Sequence, residues 1–266
     1  MKEKAEYKKV VIITGASSGI GLETAMLFAK QNFIVYGISR GEYSNPLFSH
    51  YSCDVTDFEN MKKIFEEIFK KEGHIDIVIN NAGMGISGAI EYLKPEDLDK
   101  IMNVNVKGVI LTTSLAIPYL RLSRGRIINT SSVAAVIPIP FQACYSATKS
   151  AIESFSFALA NELKPQGIKI TCVRPGDTKT GFTKSRIKTE VENEVYGKRI
   201  TKSVKKMEKD ETNGKSPLTV AKVMLKVAKK KNPPLAITVG FEYKCVSFLS
   251  KILSKRFINK IVYKMY

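Results

Sequence analysis

The sequence predicts a doubly wound α/β domain, a parallel sheet covered by helices on both faces, followed by a C-terminal amphipathic helical extension. Three observations carry this expectation. Short β-branched runs, of the kind buried on both faces of a parallel sheet, recur from Val10 to Val239. Between them lie stretches with apolar residues at helical spacing, so strands and helices alternate and their connections are right-handed crossovers. The first run, Val10-Val-Ile-Ile-Thr14, passes through the turn Gly15-Ala-Ser-Ser-Gly19-Ile-Gly21 directly into an amphipathic stretch ending near Lys30.

The totals set limits. A chain of 266 residues can bury a substantial core. Its four cysteines (Cys53, Cys144, Cys172, Cys245) form no CxxC pair, and with two histidines they suggest no metal site. The N-terminus is charged and lacks the apolar core of a signal peptide, and no segment reads as long and apolar enough to span a bilayer. A reduced, cytoplasmic setting is the expectation. The formal net charge of +17 comes mainly from lysines between Lys184 and Lys231 and between Lys244 and Lys264. No nucleic-acid motif or basic-aromatic pattern accompanies them, so no nucleic-acid partner is expected.

Taken in order, the glycine turn after the first strand lets the backbone approach a pyrophosphate at the N-terminus of the following helix. A second strand, Phe33–Ile38, ends in Ser39-Arg40, without the acidic residue that would bind adenosine ribose hydroxyls. A hydroxyl and a guanidinium instead suit a 2′-phosphate, which points to NADP(H). Tyr51–Val55 reads as a short third strand, with Asp54 placed to accept from an adenine amino group beside the Val55 backbone. Met61, Ile64, Phe65, Ile68 and Phe69 repeat at helical spacing as core. Ile75–Ile79 is a fourth strand running into Asn80-Asn81-Ala82-Gly83, where asparagines satisfy backbone groups and glycine permits close ligand approach. A helix begins at Pro95 and continues to about Leu120, with Asn105 as a polar, buried interruption. Gly125–Thr130 is the fifth strand and delivers Ser131 and Ser132 at the sheet's carboxyl edge, where open α/β sheets carry ligands. The next helix opens at Phe141 and stops at Pro165. Lys169–Arg174 is a sixth strand, ended by Pro175-Gly176, and Leu235–Val239 is the last.

Within that series Tyr145 and Lys149 are four residues apart and share a helix face. A neighbouring ammonium favours a phenolate and would lower the phenol's pKa toward the working range. Ser132 could hold a carbonyl oxygen within reach of the phenol.

The ordered set Thr14-Gly-x-x-x-Gly-Ile-Gly21, Asp54-Val55, Asn80-Asn-Ala-Gly83, Asn105, Ser132, Tyr145-x-x-x-Lys149 and Pro175-Gly176 with Thr180 closely resembles the short-chain dehydrogenase/reductase family, over roughly residues 8 to 180. The resemblance implies a single-domain Rossmann fold with a seven-stranded parallel sheet, a homodimer or homotetramer, and hydride exchange between a nicotinamide and a carbonyl or alcohol. It implies Tyr145 as the acid/base and Ser132 as the holder of the substrate oxygen. Lys149 would lower the tyrosine pKa and bind the ribose, and Asn105 would anchor a proton-relay water. Contacts to NADP(H) are expected from Gly15, Ser17, Ser18, Gly19, Ile20, Gly21, Ser39, Arg40, Asp54, Val55, Asn81, Ala82, Gly83, Tyr145, Lys149, Pro175, Gly176, Thr178 and Thr180.

Residues 1–240 are thus expected to form the dinucleotide-binding and catalytic domain, with a charged substrate loop at about 181–217. The tail, 241–266, carries Phe248, Leu249, Ile252, Phe257, Ile261 and Met265 at helical spacing with lysines and Arg256 between them. Such a basic amphipathic helix suits packing on its own domain, on a second subunit, or on an anionic membrane surface, or forming part of an apolar substrate entrance. The leading functional expectation is interconversion of a ketone and a secondary alcohol on a hydrophobic substrate such as a hydroxysteroid. A 3-oxoacyl-carrier reductase and a non-catalytic NADP-binding regulator are the alternatives.

Overall fold

The computed structural model describes residues 7–189 and 194–266. Residues 1–6 of the charged N-terminus and 190–193 of the expected substrate loop lie outside the described residues. The chain runs β1 (Val10–Thr14), α1 (Gly19–Lys30), β2 (Ile34–Ser39), β3 (Ser49–Ser52), α2 (Phe58–Glu72), β4 (Ile77–Asn80), β5 (Ile86–Gly88), α3 (Pro95–Met102), α4 (Gly108–Ser123) and β6 (Arg126–Thr130). It continues through α5 (Ala143–Leu163), β7 (Lys169–Arg174), α6 (Phe182–Ser185), β8 (Ile187–Thr189), α7 (Arg199–Thr212), α8 (Pro217–Lys229), β9 (Ala236–Thr238), α9 (Phe241–Ile252) and α10 (Lys255–Met265).

Seven strands form one parallel sheet in the order β3-β2-β1-β4-β6-β7-β9. Side chains of each strand alternate between faces, yet both faces are buried, which explains the unbroken apolar runs. Val10 and Ile12 point to the layer of α2, α4 and α5 with Met61, Phe65, Leu120 and Leu159. Val11 and Ile13 point to the layer of α1 and α8 with Phe28, Met224 and Val227. The seven-stranded α/β fold is the expected one. From β1 the chain winds outward through β2 to β3, then returns to β4 and winds the other way. The reversal leaves a crevice beyond the carboxyl ends of β1 and β4, and the site lies there.

Local chemistry sets the ends of these elements. Asp57 caps α2 by accepting from the Asn60 N–H at 3.1 Å, and Gly73 ends it in a left-handed conformation with φ +76°. The third strand covers Ser49–Ser52, earlier than Tyr51–Val55, because the Asp54 carboxylate accepts from the Thr56 N–H and hydroxyl (2.9 and 2.8 Å) and pulls the chain into a turn.

Four features depart from the expectations. The helix expected from Pro95 contains a π-helical turn, Asn103–Lys107, between α3 and α4, a device often found at functional positions. The continuous helical segment Pro95–Ser123 does pass the length and apolarity needed to cross a membrane, against the sequence expectation. In the fold, Ala116 and Leu120 of this segment are fully buried in the core against the sheet, and Asn105 is tied to a neighbouring loop. Finally, β5 and β8 form a separate two-stranded parallel pair that pins the segment after α6 to the loop after β4, and the tail is two helices rather than one. Leu253 is extended, and Ser254 caps α10 by accepting from the Phe257 N–H at 3.3 Å.

Candidate active site

The carboxyl ends of β1 and β4 are stitched together by their own side chains. The Thr14 hydroxyl accepts from the N–H groups of Asn81 and Ala82 at 3.0 and 3.1 Å. The Asn81 side-chain amide donates to the carbonyls of Thr14 and Gly15 at 3.1 and 3.3 Å. Asn81 therefore braces the turn that follows β1. Gly15 sits at φ +69°, and a Cβ on Gly21 would lie 2.1 Å from the Gly15 carbonyl oxygen, so α1 can approach the turn only with glycine there. Ser18 precedes α1 in extended conformation, and its side chain makes no capping hydrogen bond. The first-turn N–H groups of α1 thus face the crevice with no side-chain acceptor of their own, a cradle suited to a pyrophosphate.

Ser131 and Ser132 follow β6. Ser132 accepts from the Ala134 N–H at 3.1 Å, and its hydroxyl lies within hydrogen-bonding reach of the Tyr145 phenol. On α5, Tyr145, Lys149 and Glu153 fall at successive four-residue steps on the face turned to the sheet. The Lys149 ammonium donates to the Thr130 carbonyl at 2.9 Å and lies 5.7 Å from the Tyr145 ring centroid.

Burial governs both protonation states. It pushes the Tyr145 phenol up to about 12, against the opposing hydrogen bond from Ser132. It lowers the Lys149 ammonium to about 8. The sequence suggested that Lys149 would depress the phenol. Here desolvation outweighs that effect, because the ammonium is directed at Thr130 rather than at the phenol oxygen. At neutral pH the phenol keeps its proton, and Lys149 is the group nearer titration.

Glu153 secures this arrangement from behind. It accepts from the Ser131 hydroxyl and from Nε and Nη2 of Arg174, each at 2.6 Å, tying α5 to the ends of β6 and β7. All three side chains are buried. The Asn105 side chain, also buried, accepts from the Met84 N–H at 2.8 Å. It donates to the Met84 carbonyl at 2.9 Å and to Thr148 at 3.2 Å. Its amide thus clamps the loop after β4 to α5 and does not line the crevice.

A cavity of about 1150 Å³ joins these groups. Its end nearest the turn after β1 is lined by Gly15, Ser17, Ser18, Gly19, Ile20, Ser39, Arg40, Asp54, Val55, Asn81, Ala82 and Gly83, the residues expected to hold the dinucleotide. Its centre is lined by Ser132, Tyr145, Lys149, Pro175, Gly176, Thr178 and Thr180. Of the expected residues only Gly21 and Asn105 lie behind the wall. Arg40 is exposed at the rim, whereas Ser39 is buried with its hydroxyl 2.7 Å from Nε2 of His50. Thr180 packs over Gly19, where an added Cβ would meet it at 3.2 Å.

The far wall holds what sequence reading missed. The Phe182 ring packs tilted against Tyr145, with centroids 5.7 Å apart, the Arg186 guanidinium lies over the Phe182 ring, and Arg186 pairs with Glu211 of α7. Asp177, Asp210 and Glu211 line this end with Val246, Leu249, Leu253, Ile258, Ile261 and Met265 of the tail. The Tyr243 hydroxyl donates to Asp177, whose carboxyl burial raises. A Cβ on Gly176 would lie 2.3 Å from the Tyr243 ring, so α9 is seated directly on the turn after β7. Tyr266 closes the tail against Ile200, Val204 and Met207 of α7. These residues come from the loop and tail, whose sequences match no motif; the amphipathic spacing of the tail was the one available signal.

Residues 9–191 match the family model described as short chain dehydrogenase. The chain is 42% identical over 236 residues to a 3-ketodihydrosphingosine reductase of Bacteroides thetaiotaomicron, covering 87% of this chain and 88% of that protein. It is 34% identical over 187 residues to a 3-oxoacyl-acyl-carrier-protein reductase of Thermotoga maritima, covering 66% and 76%. A solved short-chain dehydrogenase from Streptomyces avermitilis superposes with a TM-score of 0.82 at 27% identity, covering 93% and 94% of the two chains.

Proposed function

Because the chain belongs to the short-chain dehydrogenase/reductase family of oxidoreductases, we propose that it reduces the ketone of a long-chain lipid to a secondary alcohol with NADPH, and that a 3-ketodihydrosphingosine-like amino ketone is its substrate. The observation that carries this reading is the single cavity running from the Gly15–Gly21 turn, past Ser132 and Tyr145, to an apolar wall built from the tail. A small polar ketone would leave that wall unfilled, whereas an alkyl chain buries it. Among the described residues Asp177 has no ion-pair partner within 4 Å, and its place at the far wall suits an ammonium near the ketone. The similarity to the Bacteroides reductase over 87% of the chain points the same way.

The residues divide the chemistry as follows. A bound nicotinamide dinucleotide supplies the hydride. Ser132 and Tyr145 donate hydrogen bonds where negative charge develops on the carbonyl oxygen. Tyr145 then gives that oxygen its proton. Lys149 holds the ribose and, through its own proton, restores that of Tyr145. Asn105 positions the Met84 loop, and Arg40 with Ser39 receives the 2′-phosphate.

NADPH oxidation should be followed with 3-ketodihydrosphingosine, a 3-oxoacyl thioester and a ketosteroid. Turnover of the first is expected to dominate; preference for the thioester or the steroid would replace the proposed substrate. Arg40→Asp should weaken NADPH at least about tenfold relative to NADH, the scale of a lost charge-assisted contact made repulsive.

A further inference from the structure

The outer faces of α9 and α10 remain open. Phe248, Ile252 and Phe257 are 62, 66 and 50% exposed, and nearly half of the large exposed apolar side chains among the described residues belong to these two helices. Phe241, Phe248 and Ile252 recur at spacings of seven and four, so they form one stripe along α9. Six basic side chains flank the apolar ones: Lys244, Lys251, Lys255, Arg256, Lys260 and Lys264, all exposed. From Tyr243 to Tyr266 there is no Asp or Glu.

The inner faces of the same helices line the cavity. Val246, Leu249, Ile261 and Met265 do both, lining the cavity while 41, 47, 41 and 52% exposed, so the wall these two helices give the cavity reaches the basic, apolar face. We propose that the α9–α10 hairpin rests on an anionic lipid bilayer, and that the cavity mouth opens into that surface so a long-chain ketone moves between membrane and site without crossing water.

The chemistry favours this occupant over a second copy of the chain. A two-fold interface sets the same patch against itself and would bring the six cations of one hairpin against six of another. A bilayer accepts the apolar stripe at the depth of the acyl-chain boundary, while the lysine stems extend to the phosphate plane. An anionic surface then adds attraction for each cation within a Debye length, and salt screens it. Docking stands on the hairpin alone; delivery of substrate through the mouth rests on the long-chain reading above.

The test is sedimentation of the full chain with vesicles of phosphatidylglycerol and phosphatidylcholine, and with phosphatidylcholine alone. Binding to the anionic vesicles is expected to be at least about tenfold tighter and to weaken at high salt. Phe248, Ile252 and Phe257 do not line the cavity, so the triple variant F248E/I252E/F257E should lose at least about tenfold in vesicle binding. It should keep its NADPH-dependent turnover of a short, water-soluble ketone. Equal binding to neutral vesicles, undiminished binding by the variant, or a wild-type dimer that the triple substitution dissociates would overturn the docking. Vesicle binding with no turnover of a long-chain ketone would uphold the docking and refute the substrate.

Discussion

The Tyr145–Lys149 pair is defined by its burial. Removing the phenol oxygen leaves the ring against Phe182 and takes away the proposed proton donor. Tyr145→Phe should therefore lower kcat at least about a hundredfold, the scale of a positioned acid/base group, while NADPH binding stays within a few-fold. Stopped-flow turnover and equilibrium titration of the cofactor would show the two effects separately. Lys149 makes a different forecast. Its ammonium is lowered to about 8 by burial, so it is charged below that pH and neutral above it. If its proton feeds the tyrosine, kcat/KM for ketone reduction is level below about pH 8 and falls above it, since that profile reports groups of the free enzyme. In Lys149→Arg, which stays protonated, the falling limb should vanish. Both residues were legible in the sequence because helix geometry puts i and i+4 together and the ordered motifs on either side, from the Gly15–Gly21 turn to Pro175-Gly176, set the pair apart from a surface contact. Their pKa directions were not, since desolvation depends on everything packed around them.

At the scale of elements, the β1–turn–α1 unit could be read in full because strand, glycines and helix are contiguous in the chain. What could not be read is what distant elements do to one another. Nothing in the helical spacing singles out Glu153; its partners Ser131 and Arg174 are delivered by β6 and β7. Glu153→Gln leaves Arg174 buried without its counter-charge and should cost about 3–5 kcal/mol of stability, measurable by urea unfolding. Turnover should fall as well, because Ser131 adjoins Ser132. The β5–β8 pair has the same origin: three residues on each side are too few to announce a strand, and they pair only because the loop folds back over the site. The break in the tail was hidden for a related reason. The apolar spacing of 241–266 continues through Leu253 and Ser254, and only the extended backbone at Leu253 with the Ser254 cap turns one amphipathic run into two helices.

For the molecule as a whole, the doubly wound parallel sheet and the placing of the site at its carboxyl edge followed from the alternation of strands and helices, whereas the strand order and the enclosure of the crevice did not. The wall opposite Tyr145 is assembled from α6, α7 and the tail, three segments with no motif, joined through Arg186, Glu211 and the small core around Tyr266. One contact in that wall has a thermodynamic consequence. The Tyr243 ring occupies the space that any side chain at position 176 would need, so the tail leans on a turn that lines the centre of the cavity and that we propose contacts the dinucleotide. Two occupants that press on one turn exert reciprocal effects. Whatever factor the seated hairpin contributes to dinucleotide affinity, the dinucleotide must return to the seating of the hairpin. Amide exchange in α9 should slow when NADPH is bound, and Tyr243→Ala should weaken NADPH by the factor that this protection loses, about fivefold or more for a coupling of about 1 kcal/mol. The last helices of the chain would then report, from the far side of the cavity, whether its cofactor is in place.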